Sequence, residues 1–276
     1  MNASDVSAVV CTLESVASLR RCLTSLRQAG VGELIVVDAG STDGTRQIAE
    51  QLADQVLCDP REGLGLARNI GIAASSGALI LNCGSDNVID PAALAGMIEH
   101  LEVTGCAGVG ALTRVGDETY LSRSMNAYRR ARFRPGIADV IGTPTLFRGD
   151  LLRAHPYDPR RRFSDDSELC ERWATTLGAT FSIADVEVLE VGKATIAELR
   201  ARCRIYGVSD HEVYRAGRSM GWTVRRRMRS LTHPARVDLV EPMARLGVGE
   251  AIVRLPYLAT VTTLRYAAWA ATARAA

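Results

Sequence analysis

The sequence has almost no lysine and no closely spaced pair of cysteines. Of its 33 basic residues only Lys193 is a lysine, which leaves 32 arginines and fits a GC-rich coding sequence. The seven cysteines include no C-x-x-C pair, which argues against a zinc site or thioredoxin-like redox chemistry. Because their number is odd and several lie in apolar runs, we expect small buried thiols in a reducing compartment.

The sequence also lacks a strong net charge and an unbroken apolar segment. A net charge of +2 is too small to indicate nucleic-acid binding. Residues 1–5 are polar, so we expect no signal peptide and a cytoplasmic protein. The apolar residues 252–273 are interrupted by Pro256 and Arg265. They predict a helix packed on the domain or in a homo-oligomer, with a peripheral contact at the inner face of the membrane or a membrane span as alternatives.

Short apolar runs alternate with amphipathic stretches over the first hundred residues. Strands are predicted at 6–13, 34–37, 55–58 and 78–82, and helices near 19–26, 42–52, 65–74 and 92–102. Strands and helices that alternate at this spacing predict a Rossmann-type α/β fold. Its doubly wound, mainly parallel sheet would have helices on both faces.

The pattern loosens after about residue 105. Strands are predicted at 107–115, 143–147 and 180–189, a helix at 169–177, and mostly helices from residue 195. Residues 117–139 show weak periodicity, and their tyrosines and arginines indicate either a wall that binds a ring or an anion, or a surface loop. We therefore divide the chain into a domain over 1–194 and a helical C-terminal region over 195–276.

Acidic and hydroxyl side chains follow three of the predicted strands. Thr12, Leu13 and Glu14 follow the first, residues 38–45 (DAGSTDGT) the second, and residues 83–87 (CGSDN) the fourth. Ligands bind at the carboxyl ends of the strands in an open parallel sheet, so these loops predict a binding site at one edge. A carboxylate there can accept hydrogen bonds from a base or a ribose, or hold a divalent metal against a diphosphate.

The same residues also have a local structural interpretation. Asp43 and Thr45 suit the start of a helix as well as they suit a ligand, whereas for Asp38 and Asp86 we favour a functional role. Asp165 and Asp166 fit the N-terminus of a helix, where acidic side chains are stabilised by the helix dipole.

Three segments resemble motifs of the family 2 glycosyltransferases, which have the GT-A fold. Residues 36–45 (VVDAGSTDGT) look like the second-strand motif of that family, and residues 67–71 (ARNIG) with Ser76 and Gly77 are similar to its A-R-N-G segment. Residues 163–172 (FSDDSELCER) resemble its acidic helix start. The likeness covers roughly residues 6–207. It implies a nucleotide-sugar-binding and catalytic domain with a donor half over 1–105 and an acceptor half over 106–194.

The resemblance implies an inverting enzyme that moves a sugar from a nucleotide-diphosphate sugar, commonly UDP-linked, to the hydroxyl of a small-molecule or lipid-linked acceptor. Asp166, or its neighbour Asp165, would be the general base. Asp86 would be the second acidic position of a D-x-D motif that binds Mg²⁺ or Mn²⁺. Arg68 would lie near the diphosphate or the nucleobase of the donor. The donor nucleotide would be bound by Thr12, Leu13, Glu14, Asp38, Ser41, Asp43, Gly65, Arg68, Ser85 and Asp86.

The chain departs from the family pattern around the diphosphate. The first acidic position of the D-x-D motif falls on Gly84, and Lys193 stands where members often carry a histidine. The loss of an anion and the gain of a cation lead to the hypothesis that Lys193 binds the diphosphate and partly replaces the metal. We still expect a divalent cation at Asp86, although Gly84 counts against it.

Two other functions stay open at this point. A nucleotidyltransferase on a similar sheet would carry a glycine-rich basic loop after the first strand, which residues 11–15 (CTLES) do not resemble. A nucleotide-sugar-binding protein that has lost catalysis is compatible with Gly84. No nucleic-acid partner is expected.

Overall fold

The structure is a computed structural model, and it describes residues 1–116, 118–160, 165–192 and 194–275. The chain forms two compact units. The first comprises Met1–Arg114 and Arg134–Gly192, and the second comprises Val115–Phe133 and the described residues from 194 onward. The boundary at residue 194 stays a prediction, and the structure groups residues 115–133 with the helical C-terminal part.

The first unit is built on one mixed sheet. Its strands are β1 (Val6–Thr12), β2 (Glu33–Asp38), β3 (Gln55–Cys58), β4 (Leu79–Gly84), β5 (Asn87–Val88), β6 (Gly108–Arg114), β7 (Gly136–Ala138), β8 (Thr145–Arg148) and β9 (Phe181–Glu190). They lie in the order β3-β2-β1-β4-β8-β6-β9-β5, and β7 pairs with β9. Strands β1 to β4 are parallel, as are β6 and β9, whereas β8 is antiparallel to both neighbours. The predicted α/β class is confirmed.

Helices cover both faces of this sheet. In the first unit they are α1 (Leu19–Gln28), α2 (Thr45–Leu52), α3 (Leu64–Ala74), α4 (Pro91–Thr104), α6 (Gly149–Ala154) and α7 (Asp165–Leu177), while α5 (Tyr120–Arg132) belongs to the second unit. Successive residues of a strand point to opposite faces. Ala8 and Val10 of β1 accordingly share a core with α1 and α4, and Val9 shares the other core with α3, α6 and α7.

Gly71, in the A-R-N-I-G segment, allows α3 to lie close against the sheet. A Cβ at this position would overlap the side chain of Val9 and press on that of Val37. A glycine in an element interior often marks such a close approach. β1 and β2 thereby fix the distance of α3 from the sheet. This distance also sets the position of Arg68, which lies less than one helical turn before Gly71.

Residues 120–132 form a helix, so the interpretation of this stretch as a surface loop is wrong. α5 begins after Thr119, whose hydroxyl accepts a hydrogen bond from the backbone N–H of Ser122 at 3.1 Å. Asn126 is buried because its side chain bonds both the backbone N–H and the C=O of Val115, at 2.9 Å each. The inward face therefore carries satisfied polar side chains, which a hydrophobic period does not reveal.

Several predicted boundaries shift by a few residues. α2 begins at Thr45 rather than at 42, because Gly44, with a φ of +100°, still belongs to the preceding turn. α7 begins at Asp165 rather than at 169. The sequence does not predict β5 or β7, because strands of two and three residues carry no periodic signal.

The second unit is helical. Besides α5 it contains α8 (Ile196–Ser219), α9 (Val224–Leu231), α10 (His233–Ala235), a π-helical segment (Arg236–Val240), α11 (Glu241–Arg245) and α12 (Val248–Ala275). Arg265, within the apolar C-terminal segment, is buried between the carboxylates of Asp210 (2.5 Å) and Asp238 (2.8 Å). Within the described residues, none of the helices combines the length and the apolar character that a membrane crossing needs.

Candidate functional site

Asp38 ends β2 and shapes the loop that follows it. The side chain is fully buried, and its Oδ2 accepts hydrogen bonds from the backbone N–H groups of Gly40 (3.2 Å) and Ser41 (3.1 Å). Its Oδ1 accepts a third bond from the Ser41 hydroxyl at 2.6 Å. The carboxylate thus holds the backbone of this loop at the sheet edge, and its direct contact with a nucleoside stays a prediction.

The loop after β1 is tied to the loop after β2. The backbone N–H of Glu14 donates to the Ser41 hydroxyl at 2.9 Å, and the Glu14 carboxylate accepts from the backbone N–H of Thr42 at 2.9 Å. Glu14 has a φ of +48°, a left-handed conformation that is uncommon for a residue with a side chain. Two of the predicted loops therefore form one hydrogen-bonded rim.

Asp43 forms hydrogen bonds at the start of α2. Its carboxylate accepts hydrogen bonds from the Thr45 hydroxyl (2.5 Å), the Thr45 backbone N–H (3.0 Å) and the Val16 backbone N–H (3.1 Å). These bonds, led by the one from the Thr45 hydroxyl, lower the pKa of Asp43. Asp43 thus binds the first helical residue, Thr45, one position after the N-cap residue Gly44, and a contact of either residue with the donor stays a prediction.

The loop after β4 joins the same rim. The hydroxyls of Ser85 and Ser15 lie 3.0 Å apart, and the side chain of Asn87 accepts a hydrogen bond from the backbone N–H of Gly84 at 2.8 Å. A Cβ at Gly84 would lie 2.8 Å from Oδ1 of Asp86, so a carboxylate at position 84 would require Asp86 to move. The structure thus brings all three predicted loops together at the carboxyl edge of β1, β2 and β4.

Few side chains at this edge could act as metal ligands. In the described part of the chain, no three His, Cys, Asp or Glu side chains come together to hold a metal ion. Asp86 is the carboxylate that follows β4, and Mg²⁺ sites commonly use one or two carboxylates with substrate phosphates as the other ligands. The residues present therefore fit a cation that binds together with a diphosphate. Lys193, the predicted diphosphate ligand, lies outside the described residues.

Three further residues of the predicted donor site are Thr12, Leu13 and Gly65. Thr12 is the last residue of β1, and its hydroxyl is buried without a hydrogen bond to any described residue. Leu13, the next residue, is about half exposed (49%). Gly65 is buried in the first turn of α3. A buried hydroxyl normally finds a partner, and the contact of Thr12 with the donor stays a prediction.

Arg68 joins α3 to the acidic start of α7. Its Nη1 donates to Oδ2 of Asp165 at 2.6 Å and to Oδ1 of Asp166 at 2.7 Å, and its Nη2 donates to the Thr143 hydroxyl at 2.7 Å. Burial acts to lower the pKa of Arg68, but the neighbouring charges, led by Asp166, outweigh it and raise that pKa. The structure therefore places Arg68 beside the two candidate general bases, and its contact with the diphosphate or the nucleobase of the donor stays a prediction.

Asp166 is the more accessible of the two carboxylates. Its side chain is 22% exposed, against 9% for Asp165. Burial raises the pKa of Asp166 above its ordinary value, the charge of Arg68 opposes that shift, and the charge of Asp165 adds to it. A carboxylate with a raised pKa and partial access to solvent is suited to accept a proton.

Tyr157 and Asn82 complete this cluster, and the sequence does not predict either of them. The Tyr157 hydroxyl donates to Oδ1 of Asp166 at 3.3 Å and accepts from Nδ2 of Asn82 at 3.0 Å. The guanidinium of Arg68 lies 5.0 Å from the centre of the Tyr157 ring. Next to this cluster, burial raises the pKa of the Cys11 thiol to about 12, and the charge of Arg68 opposes that shift.

Fold and site define an α/β protein with three hydrogen-bonded loops at the carboxyl edge of an open sheet, where ligands of such sheets bind, and with a buried arginine–carboxylate cluster. The family model "Glycosyl transferase family 2" matches residues 7–165 of the chain. The chain therefore belongs to glycosyl transferase family 2, as its motifs indicated.

Two curated relatives match the chain over part of their own length. The chain is 28% identical over 173 residues to EpsH of Bacillus subtilis (strain 168), a protein named as a glycosyltransferase, covering 56% of this chain and 50% of EpsH. It is 36% identical over 107 residues to the succinoglycan biosynthesis protein ExoO of Rhizobium meliloti (strain 1021), covering 37% of this chain and 31% of ExoO. The chain thus spans half or less of the length of these relatives.

A solved structure supports the fold. The crystal structure of residues 1–349 of TarS from S. aureus aligns with a TM-score of 0.54 at 15% identity, covering 98% of this chain and 89% of that one. TarS has also been crystallised in complex with UDP and with UDP-GlcNAc. At this identity the likeness concerns the fold alone.

Proposed function

We propose that the chain is an inverting glycosyltransferase that moves a sugar from a UDP-sugar to an acceptor hydroxyl. One observation carries the proposal. In a family 2 chain, Asp166 is a carboxylate with a raised pKa, held by Arg68 and Tyr157 at the start of α7. A small-molecule or lipid-linked hydroxyl is the acceptor class that we propose.

The rim formed by the loops after β1, β2 and β4 would bind the donor. The buried, unpartnered hydroxyl of Thr12 would hydrogen-bond the nucleoside. Asp38 would act through the backbone of residues 39–41, because its carboxylate oxygens are already bonded within that loop. The preference for UDP is supported by TarS, which binds UDP in its crystal structure.

Asp166 would act as the general base. As the acceptor oxygen attacks the sugar carbon in line with the departing diphosphate, the Asp166 carboxylate takes its proton, and the configuration at that carbon inverts. Arg68 and Tyr157 both bond Oδ1 of Asp166, which leaves Oδ2 as the oxygen that would receive the proton. Asp165, which is less exposed, would position Arg68.

The diphosphate would be neutralised near Asp86. A divalent cation there would stabilise the negative charge that develops on the departing diphosphate. Asp86 would hold it jointly with the phosphate oxygens, and position 84 would then need no carboxylate. Lys193 would supply further positive charge to the same group.

A nucleotide-sugar-binding protein without turnover is the second candidate. Gly84 favours it, because the D-x-D motif then offers a single carboxylate, Asp86. The two candidates differ in one result only, namely whether bound donor is consumed.

Nucleotide release from a panel of UDP-, GDP-, dTDP- and CMP-sugars tests the proposal. We expect release from a UDP-sugar with Mn²⁺, and a loss of about 100-fold on adding EDTA or on Asp86→Asn, since a metal-held diphosphate is worth several kcal/mol. Asp90→Asn is the matched control, because Asp90 only caps α4 through the Ala93 backbone N–H (2.7 Å). Full activity of Asp86→Asn in EDTA would remove the metal from the mechanism. Donor binding with no release would favour the second candidate.

A further inference from the structure

One stretch of the second unit is far more basic than the rest of the chain. Residues 213–237 contain seven arginines and no aspartate or glutamate, although the 276-residue chain has 31 acidic residues. At that frequency a stretch of this length would contain about three acids. Arg236 pairs with Glu241 at 3.2 Å, and the other six arginines form no ion pair with any described residue. This stretch therefore presents positive charge that its described neighbours do not neutralise.

Apolar side chains lie exposed between these arginines. Val224 and Met228, one helical turn apart in α9, have 65% and 53% of their surface exposed, and Met220 at the end of α8 has 67%. α9 has no buried residue at all, so this apolar row takes no part in packing the second unit. A helix with an exposed apolar row and a strongly basic remainder has the amphipathic character of interfacial helices.

The turn between α8 and α9 holds the two sets of arginines at a fixed spacing. Trp222 packs so closely on Gly217 that a Cβ at position 217 would overlap the indole ring. The guanidinium of Arg226 stacks over the Trp222 ring at 4.2 Å. Beside this turn, two arginines line a cavity of about 480 Å³ whose walls are His211, Tyr214, Arg215, Arg218 and Ser219. The basic residues thus form a built surface with a recess able to receive an anionic group.

We propose that this basic surface, defined as Met220, Val224 and Met228 with the arginines around them, docks on an anionic phospholipid bilayer. The arginines pair with headgroup phosphates, while the apolar row enters the boundary between headgroups and acyl chains. A nucleic acid or an acidic peptide would satisfy the arginines but would leave the apolar row in water. The participating arginines are Arg215, Arg218, Arg225, Arg226, Arg227 and Arg229.

The proposal assigns the docking to α9, where the exposed apolar row lies among these arginines, whereas a membrane contact through α12, which exposes Val248 and Ile252, stays a prediction. In α12 the side chains of Tyr257, Leu258 and Val261 are buried in the core of the second unit, and Arg265 is held by two aspartates. Those residues are already used in packing.

Sedimentation of the full chain with lipid vesicles tests this proposal. We expect binding to phosphatidylcholine vesicles that contain about one third phosphatidylglycerol, little binding to pure phosphatidylcholine, and release at about 0.5 M salt. The triple variant Arg225→Gln, Arg226→Gln and Arg229→Gln should bind about 100-fold more weakly, at roughly fivefold per arginine near a charged surface. The double variant Val224→Ser and Met228→Ser should bind about tenfold more weakly.

A matched control shows whether vesicle binding depends on this surface or on the net charge of the chain. Arg20→Gln, Arg21→Gln and Arg46→Gln remove the same charge from exposed positions of the first unit and should leave vesicle binding within about twofold. Because every substituted position is exposed, all variants should keep the unfolding temperature of the wild type. Equal losses in both triple variants, or no anionic-vesicle binding by the folded wild type, would overturn the proposal. Full vesicle binding by the Val224 and Met228 variant would also overturn it, because the surface would then be a general polyanion binder.

Discussion

Replacement of Asp166 by asparagine should lower kcat for sugar transfer by about 1000-fold, the middle of the range that a general base contributes. Asparagine keeps the shape of the side chain and can still accept a hydrogen bond from Arg68, whose second carboxylate partner, Asp165, remains at 2.6 Å. The Kd for the donor nucleotide should therefore change little. The measurement is kcat for nucleotide release together with the Kd of the nucleotide by calorimetry.

Two variants act as controls for Asp166→Asn. Glu168→Gln changes an acid in the same helical turn that pairs with Arg172 at 2.7 Å, and it should keep kcat within about threefold. Asp165→Asn should lower kcat far less than Asp166→Asn, because Asp165 acts on the reaction only through Arg68. A larger loss for Asp165→Asn than for Asp166→Asn would exchange the roles of the two residues.

The pH dependence follows from the raised pKa of Asp166. A base must be deprotonated, so kcat should fall as pH falls through this pKa, which lies above the ordinary value of 3.8. For stability the sign is opposite. A carboxyl with a raised folded pKa contributes stability that is fully present below its unfolded pKa and is lost as pH rises through the folded pKa. Asp166→Asn should remove both dependences.

Replacement of Arg68 by methionine should lower the free energy of unfolding by about 3–5 kcal/mol, the usual cost of leaving a buried charge without its partner. Arg68 is 8% exposed and serves two carboxylates that are themselves mostly buried. For a chain of this size the loss corresponds to a fall of about 10 °C in Tm. The measurement is chemical unfolding at neutral pH, followed by circular dichroism.

Two further variants show whether the destabilisation comes from unpaired buried carboxylates or from the lost packing of the Arg68 side chain. The triple variant Arg68→Met, Asp165→Asn and Asp166→Asn should recover most of the stability, because no buried charge then lacks a partner. Arg153→Met removes a guanidinium that bonds the backbone oxygen of Gly77 (3.2 Å), and it should cost only about 1 kcal/mol. If the triple variant were as unstable as Arg68→Met, the ion pairs would not be what Arg68 contributes.

Elements with a strong period are the ones that the sequence predicts well. The strand at 55–58 has the observed bounds of β3, and the four parallel strands follow from their β-branched runs. The hydrophobic pattern does not predict α5, because the residues that this helix buries include Ser122, Ser124 and Asn126. Ser122 bonds Thr119 and Asn126 bonds Val115, and a hydrophobic pattern does not reveal polar side chains that are buried in this way.

The site was predictable as a set of loops but not as a network. Strand ends alone place Glu14, Asp38 and Ser85 at one edge, because parallel strands end together. The contacts of Arg68 with Asp165 and Asp166 join residues 97 and 98 positions apart, and no spacing rule predicts them. Tyr157 carries no motif signal, and its place beside Asp166 is seen only in the folded chain.

The most direct test of a nucleotide-binding sheet edge is the unfolding temperature of the chain with UDP, GDP, dTDP and CMP, each with Mn²⁺ or with EDTA. A ligand at 100 times its Kd adds about 2.7 kcal/mol to the free energy of unfolding. At about 2–4 °C per kcal/mol for a chain of this size, we expect UDP with Mn²⁺ to raise Tm by roughly 5–10 °C. We expect Mn²⁺ alone to have little effect. If none of the four nucleotides changed the Tm under either condition, the chain would share the fold of its family without its donor site.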